Sequence, residues 1–204
     1  MAPGLAVPAA SSQRVFRVVL EALSRPGTVQ RLPAGALAGL HETPSPGPCS
    51  AALMLTLLDA ETSLHIAPPL HGEPLCAWLR FHTGVRLAPQ PSTADFVLSS
   101  SASADPALWR TLRLGSDEVP QQGATWLVEV PALSAPGQLG DGALRCTGPG
   151  IRDVHTLMVG GLTPAFWQAR EELAPLFPRG IDLVLCCGDR LAALPRTTQL
   201  QWEP

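Results

Sequence analysis

Apolar side chains occupy all but one position of the run Ile181-Asp182-Leu183-Val184-Leu185-Cys186-Cys187, and a second run, Leu191-Ala192-Ala193-Leu194, follows Gly188-Asp189-Arg190. The first run does not alternate. A strand with one face in water reads polar at every second position, so this pattern predicts a central strand covered on both faces. Gly188-Asp189 suits the positive φ of a two-residue hairpin loop. That loop sets Cys187 opposite Arg190, Leu185 opposite Ala192, Leu183 opposite Leu194 and Ile181 opposite Arg196. Pro195 has no amide hydrogen for a ladder, so the second strand ends there or reaches an edge. Arg196-Thr197-Thr198 is then expected to leave the sheet as a guanidinium beside two hydroxyls.

Helical spacing aligns Val15, Val18, Val19 and Ala22 between an N-cap at Ser11 or Ser12 and a stop at Pro26-Gly27. Residues 28–32 read as a short strand and 34–48 as loop. Leu53, Met54, Leu55, Leu57 and Leu58 cover every face of a helix at 50–59, which is therefore buried. A strand at 63–67 precedes a helix at 72–81 with Leu75, Trp78 and Leu79 inward. A strand at 95–99 leads through a polar connector to Asp105-Pro106, an N-cap and first-turn proline opening a helix that runs to Gly115. Residues 125–130 form a strand whose antiparallel partner is expected at 144–147, across a turn-rich link at 134–142. Thr163-Pro164 opens a last helix, which Pro175 ends. Residues 1–10 read as a flexible Pro/Ala tail, and 11–204 as a single domain. Helices and strands mixed in this way predict an α/β domain with a mixed sheet and helices on both faces.

Composition narrows what such a domain does. Of 204 residues, 46% are hydrophobic and 15% charged, so a large core is expected. A net charge of -3 leaves no basic stripe for nucleic acid or an anionic membrane, and no apolar run is long enough to span a bilayer. All 14 cationic side chains are Arg. Without a Lys amine there is neither a Schiff base to pyridoxal phosphate nor a phosphate-loop lysine, so no cofactor of that kind is expected. A GC-rich coding sequence is the other reading of that absence, given 22 Pro, 18 Gly and no Asn or Tyr. The five Cys are odd in number and sit mostly in apolar runs, which suits free thiols in a reducing, cytoplasmic compartment.

The familiar catalytic fingerprints are incomplete. Gly140-Asp141-Gly142 and Gly148-Pro149-Gly150 each lack the third glycine of a dinucleotide loop, and His41-Glu42 lacks the second His of a zinc protease. His71, Cys76 and His82 straddle one helix without a fourth ligand, so no metal site is assigned. Arg80 and His82 complement the carbonyls at a helix end closed by Gly84, or contact an anion or partner. Asp182 needs a partner if buried, and backbone amides or a structural Arg suit it better than catalysis. Arg196, Thr197 and Thr198 offer a fork and two hydroxyls, fitting a phosphate, a subunit contact or an ordinary strand end. No catalytic residue is assigned.

Taken together, several of these segments resemble the PhnH family, a subunit of the bacterial carbon-phosphorus lyase core complex. They are Phe16-Arg17, Leu23-Ser24-Arg25-Pro26-Gly27, Leu79-Arg80-Phe81-His82-Thr83-Gly84, Leu144 through Gly148-Pro149-Gly150-Ile151, Phe177-Pro178 with Gly180-Ile181-Asp182, Cys187-Gly188 and Pro195-Arg196-Thr197-Thr198. The ordered set spans 16–198. The resemblance implies a three-layer α/β/α single domain with a mixed central sheet, like the large domain of pyridoxal-phosphate transferases without the cofactor. It also implies a homodimer in isolation and a place beside the G, I and J subunits. The complex makes α-D-ribose 1-methylphosphonate 5-triphosphate from ATP and methylphosphonate. An accessory subunit is the first expectation; a subunit lending an ATP or phosphonate site through Arg196, Thr197 and Thr198 is the alternative.

Overall fold

A computed structural model describes residues 2–40, 46–136 and 142–203. The helices are α1 (Pro8–Ser24), α2 (Ala34–Leu37), α3 (Pro48–Leu57), α4 (Glu73–Thr83), α5 (Leu108–Thr111) and α6 (Pro164–Glu171). The strands are β1 (Gln30–Arg31), β2 (Ser63–Ile66), β3 (Arg86–Leu87), β4 (Phe96–Ser100), β5 (Thr125–Glu129) and β6 (Leu133–Ser134). After them come β7 (Ala143–Thr147), β8 (His155–Val159), β9 (Asp182–Cys187), β10 (Arg190–Leu194) and β11 (Gln199–Glu203).

Two sheets form. The larger has seven strands in the order β1-β10-β9-β5-β4-β2-β3, and the smaller four in the order β11-β7-β8-β6. Strands β9, β5, β4, β2 and β3 run parallel, and β10 and β1 close the larger sheet antiparallel. The hairpin has the expected register over its ladder, Cys187 to Arg190, Leu185 to Ala192 and Leu183 to Leu194. The ladder stops at Asp182 and Leu194, so Ile181 and Arg196 lie beyond it.

Strand β9 is buried on both faces because two separate cores meet it. Val184 and Cys186 join the cluster formed with α1, α3 and α4, whereas Leu183 and Leu185 face a second cluster containing Trp109, Trp126, Phe166 and Trp167. That second cluster also takes Leu144, Cys146, Leu157 and Leu200 from the smaller sheet. The covering layer on this side therefore contains a sheet as well as helices.

The strand at 144–147 does not pair with β5 as expected. β5 already has β4 on one edge and β9 on the other, with Leu127 between Leu98 and Val184. Its carbonyls and amides are spent, and β7 pairs instead with β8 and β11. The connection between the adjacent strands β5 and β9 thus carries most of the second sheet. α1 begins at Pro8, a turn before the expected Ser11, which is buried inside the helix. Residues 34–48 hold the short helix α2 and the start of α3, and the helix expected at 105–115 shortens to α5. Thr163 caps α6 as expected, accepting from the Phe166 amide. Among the described residues, no helix is long and apolar enough to cross a membrane.

Candidate functional site

Where β9 begins and β10 ends, four separated segments meet. Asp182 sits at the first position of β9, and the chain returns past Pro195 to place Arg196 beside it. The Arg196 backbone amide donates to Asp182 Oδ1 at 2.8 Å, Nε to the same oxygen at 3.2 Å and Nη2 to Oδ2 at 2.7 Å. Nη1 donates to the Pro120 carbonyl. Asp182 has the amide and the structural Arg that its position calls for. Gly180 and Gly123 leave room for them: a Cβ on Gly180 would lie 2.9 Å from Arg196 Cβ, and one on Gly123 would lie 2.8 Å from Nη1.

Beyond Arg196 the chain does not run out into solvent. Thr198 is buried, and residues 199–203 form β11 against β7. The buried Arg170 of α6 secures this corner, its Nη2 donating to the Pro195 carbonyl at 3.1 Å and the Thr198 carbonyl at 3.3 Å. Its Cζ lies 5.8 Å from the Trp109 ring centroid. Burial pulls the Arg170 pKa down, and the nearby carboxylates of Glu171 and Asp182 oppose that shift.

The two Pro-Gly turns of the sequence join the same corner. Gly150 has φ +82°, and a Cβ there would meet the Ser24 carbonyl and lie 2.9 Å from Pro26 Cδ. His155 Nδ1 donates to the Pro26 carbonyl at 2.7 Å. Gly148 approaches the other side, its Cβ position 3.0 Å from the Thr197 carbonyl. The turn 147–150 is thus wedged between the end of α1 and the 196–198 segment. Phe177, 61% exposed, stands beside it over a groove of about 310 Å³ lined also by Pro149, Ala174 and Thr197–Gln199.

A family model described as "Bacterial phosphonate metabolism protein (PhnH)" matches residues 3–201. The chain belongs to the PhnH family. It is 34% identical over 197 residues to the α-D-ribose 1-methylphosphonate 5-triphosphate synthase subunit PhnH of Rhizobium meliloti (strain 1021), covering 96% of this chain and 93% of that protein. It is 38% identical over 189 residues to HtxG of Stutzerimonas stutzeri, provisionally named a C-P lyase subunit protein, covering 92% and 85% of the two. PhnH proteins take part in bacterial phosphonate metabolism.

The remaining site residues of this PhnH protein lie elsewhere. Arg80 and His82 occupy the last turn of α4, whose Leu75, Trp78 and Leu79 point into the other core. Gly84, at φ +75°, closes that helix by donating to the Arg80 carbonyl at 2.9 Å. Arg80 lies 3.8 Å from Glu73. His82 Nε2 is 3.3 Å from the Ala2 carbonyl, and Trp78 Nε1 donates to the Ala2 and Pro3 carbonyls at 3.1 and 3.3 Å. These residues hold the segment 2–5 against α4. Of the three residues weighed for a metal, Cys76 is buried while His71 and His82 are exposed. His41-Glu42 and Gly140-Asp141 lie outside the described residues.

One participant was missed in the sequence. Arg170 was not singled out in the sequence, although helical spacing sets it on the same face as the buried Phe166 and Trp167; the turn between β10 and β11 gives its guanidinium two carbonyls. Away from the corner, at the other end of β5, Glu129 accepts from the Gly47 amide at 2.7 Å and the Ser50 hydroxyl at 2.8 Å, so it caps α3 from a distant strand. The corner therefore holds the Asp182–Arg196 pair, the buried Arg170, His155, the Thr197 and Thr198 hydroxyls and one exposed aromatic. Both guanidinium groups and the imidazole are each engaged by a backbone carbonyl of the chain itself.

Proposed function

We propose that this protein is an accessory subunit of the C-P lyase core complex, supporting synthesis of α-D-ribose 1-methylphosphonate 5-triphosphate from ATP and methylphosphonate. The observation that carries the proposal is the match along nearly the whole chain to a subunit named for that synthase. The corner's chemistry agrees, since its residues brace backbone and present surface. In the synthesis the bond from ribose to adenine breaks and a bond from ribose to the phosphonate oxygen forms. This chain's part is to shape or hold the assembly in which that exchange occurs.

On this reading the protein is cytoplasmic, dimeric when isolated, and bound in the complex to the G, I and J subunits. It works without pyridoxal phosphate, for which it has no lysine. Its α/β layers are related to the large domain of pyridoxal-phosphate transferases, a kinship supported by a sheet of parallel strands closed by an antiparallel hairpin. Direct binding of ATP or phosphonate through Arg196, Thr197 and Thr198 is the second reading. It asks the guanidinium to abandon Asp182, so it is the less favoured.

The decisive assay assembles the synthase with and without this subunit and follows adenine release from ATP in the presence of methylphosphonate. Loss of release on omission is expected. An unchanged rate, with the remaining subunits assembled normally, overturns the proposal.

A further inference from the structure

Helix α1 carries apolar side chains on two sides. Its inward side chains Ser11, Val15, Val19 and Ala22 are buried, and the helix packs on α3 and β10. Outward, Phe16 and Leu20 lie one turn apart, 46% and 48% exposed, with Gln13, Arg14 and Arg17 also in solvent. A helix packed on one side turns polar residues to water on the other. Exposed apolar residues scattered singly are ordinary, but two on adjacent turns form a patch.

The charge on this face is unbalanced as well. Among the described residues, every arginine other than Arg14, Arg17 and Arg152 reaches a carboxylate, a backbone carbonyl or a thiol of the chain. Two of those three therefore stand on α1. The carboxylate of this helix does not answer them, because Glu21 is held by Arg25 at 3.1 Å. A chain that is net negative thus keeps uncompensated positive charge beside an apolar patch.

Resting on the subunit reading above, we propose that the outward face of α1 docks into an apolar groove with an acidic rim on a partner subunit. Phe16 and Leu20 enter the groove, and Arg17 meets a carboxylate at its edge. Shape selects a macromolecule, since a convex helix face cannot enclose a small ligand but fits a groove. Charge selects an acidic one, and it disfavours a second copy of this chain: a two-fold contact sets the same patch on itself, bringing Arg14 and Arg17 against their own equivalents. Nucleic acid and anionic lipid call for clusters of cations, whereas two free ones beside two apolar side chains suit a protein.

The test co-expresses the full-length protein with its partner subunits and compares recovery of the assembled complex for Phe16→Asp, Leu20→Asp, Arg17→Glu and Phe81→Asp, the last charging an exposed ring on α4. Phe16→Asp and Leu20→Asp are each expected to cut co-recovery roughly tenfold or more, as loss of an anchor does. Arg17→Glu should cut it by roughly tenfold at low salt, through like-charge contact with the acidic rim, and Arg17→Lys should largely preserve it. Phe81→Asp should leave it unchanged. Thermal melts of the isolated variants check folding, and a photo-crosslinker at Gln13, which needs no charged substitution, should join a partner subunit. Normal recovery of both Phe16→Asp and Leu20→Asp refutes the docking face while leaving the subunit reading intact. So does recovery of Arg17→Glu equal to that of the parent, a crosslink only to a second copy, or sedimentation of the parent but not Leu20→Asp with anionic vesicles. Should the parent protein itself fail to co-elute, the subunit reading falls and the docking face with it.

Discussion

Removing Asp182 is the sharpest test of how the corner is held. Asp182→Ala takes the acceptor from three donors at once: the Arg196 amide, Nε and Nη2. It leaves a guanidinium whose side chain is 14% exposed with the Pro120 carbonyl alone. Breaking a fully buried pair costs about 3–5 kcal/mol, and a charge-assisted hydrogen bond contributes about 1.5–3 kcal/mol. The carboxylate is 27% exposed, which admits some screening. The expected loss is therefore about 2–3 kcal/mol, or about 4–12 °C in Tm for a chain of this length. Arg196→Ala keeps the backbone donor to Asp182 and should cost less, about 1.5–2 kcal/mol. Urea unfolding of both single variants and the double variant, followed by circular dichroism, yields a coupling energy expected near 1.5 kcal/mol. Coupling below about 0.5 kcal/mol, or Arg196→Ala costing more than Asp182→Ala, would refute the claim that this pair braces the corner. The same Arg196→Ala protein, titrated calorimetrically with ATP and with methylphosphonate, should match the parent.

Other consequences can be checked directly. Gly150→Ala should cost about 2 kcal/mol or more, because a positive φ and a close approach to Ser24 and Pro26 add together, whereas Gly188→Ala meets no atom within 4 Å and should cost only about 1 kcal/mol; equal losses in chemical denaturation would contradict this. Burial pushes the Asp95 carboxyl upward, but hydrogen bonds from the Ser63 hydroxyl and amide and the charge of Arg113 outweigh it and hold its pKa low. Its contribution is thus present above the unfolded value and is lost as pH falls through the folded one. The stability gap between the parent and Asp95→Asn should accordingly close below about pH 4, and a gap that widens on acidification would reverse the sign. Burial lifts the Cys146 thiol to about 12, and contact with Cys186 together with burial raises Cys49. A maleimide should therefore label the partly exposed Cys187 first, with mass spectrometry showing Cys49, Cys76, Cys146 and Cys186 protected until the protein unfolds.

The chain determined by itself whatever rests on neighbouring residues. An apolar run without alternation announced β9 as a strand covered on both faces, and Gly188-Asp189 announced the hairpin and its register. Thr163-Pro164 announced the start of α6, and the ordered motifs announced the family. Fold decided everything that depends on which edges and faces were already occupied. β5 could not take the strand at 144–147 because β4 and β9 had used its hydrogen bonds, so a second sheet formed over the aromatic core. Asp182 was legible as a residue in need of a partner, and Arg196 as a fork for a phosphate, a subunit contact or an ordinary strand end. That each is the other's partner follows from where Pro195 turns the chain back, and that Arg170 completes the corner follows from α6 crossing above it. A guanidinium looks available for an anion when read along the sequence; only three-dimensional proximity shows that a carboxylate of the same chain already holds it.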